Sequence, residues 1–241
     1  TSFMKIKVQI KRQEKQNTAP YIQHFLYEGD GKLTVADFLA ELNRRDPLLT
    51  AEGLPASRIT YESGCHEKKC GACAMLVNGL PQLACSVFLT CAVQKNGSLT
   101  LAPLSKFPVI RDLKVDRATT FEILKKMQIW LDHKTDFEKD WDRQCQYEAG
   151  QCLACGCCLE ICPNYRPGNS FGGAAAMVQA YKVIEQNQNN PHREIMLQQY
   201  EDHFFSGCSQ SLSCRTICPA RLPLDVIQSR VNAALRKQKK K

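Results

Sequence analysis

The 241-residue sequence has no run approaching the about 18 consecutive apolar residues that read as a membrane span. It does not open on a basic start followed by a short apolar stretch, so no secretory leader is expected. Glycine and proline are sparse, at 13 and 11 residues, which excludes collagen-like and low-complexity classes. No G-x-G-x-x-G and no Walker loop occurs, so no nucleotide fingerprint is present. Self-similarity at a solenoid period is also missing. No nucleophile stands beside a base in a recognisable pattern, and no residue is read as catalytic. What remains is ordinary globular composition, 44% hydrophobic and 23% charged, long enough for one large domain or two small ones. Two quantities stand out, a net charge of +8 and 14 cysteines.

Clustered cysteines without a leader suggest metal rather than disulfides. The positive charge could attract nucleic acid, anionic lipid or an acidic partner. A nucleic-acid module would need Cys/His finger spacing and interleaved aromatics, and neither is seen, so no nucleic-acid partner is expected. Part of the charge sits in Arg236–Lys241. That tail reads as a solvated terminus, with contact to anionic lipid as the sharper alternative.

The first hundred residues read as a mixed sheet with one helix. Met4, Ile6, Val8 and Ile10 alternate with polar residues as in a half-buried strand. Further strands are expected at Tyr21–Tyr27, Arg58–Glu62 and Ser98–Ala102. Thr34 precedes Val35, Phe38, Leu39 and Leu42 at helical spacing and reads as an N-cap. Ala74–Val77 and Leu80–Ala84 flank Asn78-Gly79, a two-residue hairpin signal. Later segments carry helical stripes: Ile123, Leu124, Met127, Trp130 and Leu131; Met177, Val178, Tyr181 and Ile184; and Val226, Ile227, Val231, Ala234 and Leu235 behind Pro223 and Asp225. A polar stretch, Asp132–Gln151, separates the first stripe from a cysteine cluster. The proline-bearing segment Ala102–Pro108 places a boundary near 108, giving a sheet domain over 1–108 and a helical domain over 109–241.

The cysteines form three groups. Cys65-x4-Cys70-x2-Cys73, with Cys85 after eleven more residues, has the plant-type 2Fe–2S spacing. Zinc prefers paired Cys-x2-Cys knuckles and fits less well. The second group, Cys152-x2-Cys155-x2-Cys158-x3-Cys162-Pro163, is the bacterial ferredoxin run, whose fourth cysteine ligates a neighbouring cluster. The same template laid on Cys208 expects ligands at 211, 214 and 218 and then proline. The residues there are Ser211, Cys214, Cys218 and Pro219. Crossing the fourth ligands assigns Cys152, Cys155, Cys158 and Cys218 to a 4Fe–4S cluster and leaves Cys162, Cys208 and Cys214 for a 3Fe–4S cluster. Ser211 as an oxygen ligand to a fourth iron is the competing reading, disfavoured because thiolate is the preferred soft ligand. Cys91, Cys145 and Cys157 fall outside the groups and read as small buried hydrophobes. Three clusters without a substrate site describe an electron wire whose substrate chemistry lies on another chain.

This order of motifs, together with Phe107–Asp116, resembles the iron–sulfur subunit of succinate dehydrogenase or quinol:fumarate reductase along the whole chain. The resemblance implies an α+β architecture, a β-grasp plant-type ferredoxin domain followed by an α-helical ferredoxin domain. It implies an FAD-containing flavoprotein partner, a membrane anchor that often bears haem b, and electron flow from FAD through the 2Fe–2S, 4Fe–4S and 3Fe–4S clusters to quinone. It places the chain peripherally on the cytoplasmic face of a bacterial inner membrane, or on the matrix side in mitochondria, and puts Pro163 beside the quinone. Family members that use ubiquinone place Trp four residues after that proline and His just after the cysteine matching Cys208. Here those positions hold Pro167 and Ser209, which favours menaquinone. A related thiol-linked fumarate reductase subunit is the alternative. Those tend to carry further Cys-rich C-terminal segments, whereas Cys218 is the last cysteine here.

Overall fold

A computed structural model of the chain describes residues 3–131, 143–186 and 191–240. Strand β1, Phe3–Arg12, turns Ile6, Val8 and Ile10 inward, each fully buried, and Lys5, Lys7, Gln9 and Lys11 outward. The period-2 alternation carries this pattern, because successive side chains of a strand point to opposite faces. β2, Tyr21–Asp30, pairs antiparallel with β1 from Phe3 opposite Asp30 to Arg12 opposite Tyr21, running three residues past the expected strand.

Helix α1, Val35–Asn43, starts where the Thr34 hydroxyl accepts a hydrogen bond from the Asp37 N–H. Its buried face is Val35, Ala36, Phe38, Leu39 and Leu42, and Phe38 meets Tyr27 of β2 edge-on at 5.0 Å. The hairpin β3, Ala74–Val77, and β4, Leu80–Leu83, turns on Asn78 and Gly79, with φ of +50° and +80°. Two residues with positive φ give the hairpin a turn matched to the strands' twist. After a short helix α2, Leu89–Ala92, strand β5, Ser98–Ala102, enters parallel to β1 and antiparallel to β3. The sheet order is β2-β1-β5-β3-β4, with a separate ribbon of β6, Val109–Arg111, and β7, Lys114–Val115.

The expected strand Arg58–Glu62 forms no ladder. Two of its amides bond to side chains instead: Ile59 N–H donates to Asn43 Oδ1 and Thr60 N–H to Asp112 Oδ2, each at 2.8 Å. The boundary also differs from the one expected at 108. The chain divides into Thr1–Asp116 and Arg117–Lys241. The reason is the β6–β7 ribbon, which is tied into the first unit through Asp112. Its N–H donates to the Gln13 carbonyl, and its carboxylate receives Arg12 Nη2 at 2.8 Å with both side chains buried. Arg12 thus occupies an inward position of β1 as a paired charge. Its guanidinium also donates to Gln23, Ser57 and the Arg58 carbonyl.

The second unit is helical: α3, Ala118–Lys126; α4, Arg143–Gly150; α5, Cys157–Ile161; α6, Gly173–Gln186; α7, His192–His203; α8, Ser213–Ile217; and α9, Leu224–Gln238. α6 is the hub, packing against α3, α4, α5, α7 and α9. Its face Met177, Val178, Tyr181 and Ile184 is buried as its spacing requires. Two stripes are corrected at their ends. α3 stops at Lys126, so Trp130 and Leu131 leave the helix half exposed, and Trp130 stacks on His192 at 5.5 Å. On α9, Ile227, Val231, Ala234 and Leu235 face inward, but Val226 lies outside that arc and is exposed. Of the polar stretch Asp132–Gln151, residues 132–142 lie outside the described residues and 143–150 form α4. α9 carries Arg236 and Lys237 in its last turn, and Lys239 pairs with Glu201; Lys241 lies outside the described residues.

Candidate metal centres

The first cysteine group sits on the loop before β3. His66, Lys68 and Gly71 take positive φ of +53°, +61° and +74°. Left-handed residues set between ordinary ones curl the chain and turn successive N–H groups to one side, a concavity suited to an anionic group. Glu67 and Lys69 N–H groups donate to Cys65 Sγ at 3.3 and 3.2 Å, and Cys65 N–H donates to Cys70 Sγ at 3.5 Å. The hairpin returns Cys85 to this loop: Ala84 N–H donates to the Cys73 carbonyl at 3.1 Å and Cys85 N–H to Cys73 Sγ at 3.5 Å. His66 Nδ1 lies 3.2 Å from Asp37 Oδ1, which ties the loop to α1. The donated N–H groups bring the Cys65 thiol down to about 7, whereas burial pushes Cys73 up to about 12. A thiol so buried gives up its proton readily only to a metal that takes over the charge.

The second and third groups lie in the helical unit and line two separate cavities. One is a pocket of about 410 Å³, its open mouth included, between apolar walls that include Val178, Leu222 and Leu224, and its thiols are Cys152, Cys155, Cys158 and Cys218. The other, of about 390 Å³ with its open mouth included, is lined by Cys162, Cys208 and Cys214, with Ser211, Asn164 and Gln228. Cys218 closes α8, next to the third group in sequence, yet faces the thiols of the second; Cys162 closes α5 and does the reverse. The local backbone repeats the first site's device. Ala154 and Gly156 have φ of +49° and +88°, and Gln210 and Leu212 have φ of +57° and +55°. Leucine rarely adopts this conformation, and here it starts α8, the helix that carries Cys214.

The surroundings grade the thiols. A hydrogen bond from Cys157 draws Cys155 down to about 7, with the Arg117 charge assisting, and Arg117 Nε donates to the Cys155 carbonyl at 3.2 Å. Burial raises Cys158 well above its ordinary value and Cys214 to about 11. Cys145 and Cys157 are buried as expected, but Cys91 is exposed, at the solvent side of α2. Ser211 is exposed at the cavity wall and receives a hydrogen bond from Ser213 Oγ at 3.3 Å. Pro163 is exposed beside Cys162, and Ser209 Oγ donates to Asn164 Oδ1 at 3.0 Å. Sequence spacing did not reveal Arg117, Asn164 or Gln228. Of these only Gln228 left a trace, as a polar residue one turn after Leu224 and before Val231 in an apolar stripe.

Among the described residues, no three His, Cys, Asp or Glu side chains converge as a site for one ion. Polynuclear clusters hold their thiolates apart around an inorganic core and do not require such convergence. The all-thiol donor sets, the N–H groups aimed at sulfur and the apolar walls fit iron–sulfur clusters.

Comparison with known proteins agrees in kind. Residues 7–122 match the model of a 2Fe-2S iron-sulfur cluster binding domain, and residues 148–222 that of a 4Fe-4S dicluster domain. The succinate dehydrogenase iron-sulfur subunit of Bacillus subtilis is 31% identical over 227 residues, covering 89% of this chain and 86% of its own. The fumarate reductase iron-sulfur subunit of Wolinella succinogenes is 31% identical over 180 residues, 69% of this chain and 73% of that one. In fold, the chain is similar to one from the apo Sdh1 complex of Mycobacterium smegmatis. The TM-score is 0.76 at 20% identity, over 96% of this chain and 97% of the other.

Proposed function

The chain belongs to the family of succinate dehydrogenase and fumarate reductase iron–sulfur subunits, and from that premise we propose that it passes electrons singly between a flavoprotein partner, where FAD meets succinate or fumarate, and a quinone at a membrane anchor. It is an electron-transfer subunit with 2Fe–2S, 4Fe–4S and 3Fe–4S centres. The ligands in this reading are Cys65, Cys70, Cys73 and Cys85 for the first; Cys152, Cys155, Cys158 and Cys218 for the second; and Cys162, Cys208 and Cys214 for the third. The observation that carries it is the exchange of Cys162 and Cys218 between the two cavities.

Bound clusters supply reversible one-electron chemistry. The chain's own residues supply the thiolates, N–H dipoles that favour negative charge on them, and walls such as Val178, Leu222 and Leu224 that keep water from the second centre. Ser211, a poor soft ligand where a fourth thiolate would stand, leaves the third centre with three irons. Menaquinone is the proposed quinone, with Pro163 beside it. Ser209 and Pro167 occupy the positions of the ubiquinone-type His and Trp, and Ser209 is committed to Asn164.

We place the chain peripherally at the membrane, on the cytoplasmic or matrix side, held by the anchor. Among the described residues no helix is long and apolar enough to cross a membrane, and α9 ends in exposed Arg236 and Lys237.

The test separates flavin-level from quinone-level activity in the assembled complex. Cys73→Ser and Cys214→Ser should leave dye reduction at the flavin intact and abolish quinone reduction. An assembled Cys214→Ser complex that lacked the third cluster yet reduced quinone at the normal rate would sink the relay.

A further inference from the structure

Helix α9 buries Leu224, Ile227, Val231, Ala234 and Leu235, and two amides on the same face, Gln228 and Asn232. Burying an amide is unfavourable unless it finds a partner. Asn232 has one, since its Oδ1 accepts from the Tyr200 hydroxyl at 2.8 Å within the helical core. Gln228 is only 8% exposed, and its Nε2 lies 3.3 Å from Cys208 Sγ at the wall of the third cavity. A cluster-bound thiolate only accepts hydrogen bonds, so the amide must present its NH2 and not its oxygen. This is a polar contact inside an apolar stripe, made to one of only three thiolates proposed for that centre.

We propose that Gln228 sets the reduction potential of the third centre by donating an N–H···S hydrogen bond to Cys208. The inference rests on the ligand reading above. The sign follows from charge. Reduction adds an electron to an already anionic group, and a fixed N–H dipole stabilises the more negative state more strongly, especially where water is scarce. The bond therefore raises the potential and favours arrival of the electron at the last station before quinone. Gln228 is a positioning residue here, since it acts through Cys208.

The experiment is a potentiometric EPR titration of the purified complex, native and with Gln228→Met, which keeps the length of the side chain and removes the donor. Only the part of the bond that differs between the two redox states shifts the potential, and a preference of about tenfold for the reduced state corresponds to about 59 mV for one electron. The variant should titrate lower by that amount at the three-iron signal, with the other two clusters unmoved. As a second measurement, native complex labelled with 15N at the glutamine side-chain amide should show 15N hyperfine coupling in pulsed EPR of the oxidised third cluster. This reading stands even if the variant fails to assemble.

A normal three-iron signal with an unchanged midpoint in Gln228→Met, or no 15N coupling in the native complex, overturns the proposal alone. Absence of any three-iron signal from the native complex overturns the ligand reading, and the proposal with it.

Discussion

The two units of the chain hold metal in opposite ways. In the first, the sheet and α1 close a continuous apolar core of Ile6, Val8, Ile10, Phe25, Tyr27, Phe38, Leu39 and Leu42, and the cysteine loop hangs at its margin with Cys70 exposed. In the second, Cys158 and Cys214 lie on helices that could not stand alone, Cys162 and Cys218 close those helices, and Cys152, Cys155 and Cys208 lie on the loops beside them. α5 and α8 have five residues each, below the length at which a helix persists without tertiary support. Each cavity there gathers thiols from segments far apart in sequence, so a cluster would staple α5 and α8 together. The same ligand chemistry would then be an accessory to one fold and a structural member of the other.

The strongest way to break the comparison is to remove the iron. Chelation under reducing conditions should unfold the helical unit and leave the sheet unit folded, because metal binding and folding are coupled where ligands join distant segments. Amide hydrogen exchange followed segment by segment reads this directly. Equal protection loss in β1 and α6 would refute the asymmetry.

Next in size is Cys218→Ser. If Cys218 serves the second cavity, the four-iron EPR signal should be lost while the 2Fe–2S signal persists. Loss confined to the three-iron signal would show that the exchange of ligands does not occur.

Within the sheet unit, stability should depend on side chains instead. Asp112→Ala leaves Arg12 buried and unpaired, and should destabilise this unit by about 3–5 kcal/mol, measured by denaturant unfolding. An effect below about 1 kcal/mol, the usual range for an exposed pair, would mean water reaches Arg12.

The smallest effect belongs to the cap of α1. Thr34→Ala should cost about 1 kcal/mol. The Thr34 hydroxyl, with help from His66, also holds the Asp37 carboxyl below the usual carboxylate value. A lowered folded value means a contribution that is present above the unfolded pKa and lost as pH falls through the folded one. The variant should therefore narrow the acid dependence of stability below about pH 4. An unchanged acid limb would remove Thr34 as its cause.

Legibility followed the range of each interaction. β1, the α1 cap and the Asn78-Gly79 turn were readable because strand alternation, capping and two-residue turns involve neighbours a few positions apart. The segment Arg58–Glu62 was not, because its Ile59 and Thr60 amides bond to Asn43 and Asp112, side chains remote in sequence. The boundary at Asp116 depends on the same carboxylate pairing with Arg12 across the fold. Val226 and Trp130 satisfied a hydrophobic count but not the burial arc or helix end that packing imposed.

The cysteine spacings by themselves grouped the thiols, suggested which cluster types they suit and set Ser211 where a fourth thiolate would stand, because ligation chemistry is written in residue type and interval. Spacing is blind to the side chains that donate to the cysteines from elsewhere in the chain. Only the tertiary structure brought the Arg117 guanidinium to the Cys155 carbonyl and the Gln228 amide to Cys208. The physical reason is that a hydrogen-bond donor to sulfur acts over a few ångströms of space, and α9 reaches that distance only after the chain has folded back on α6.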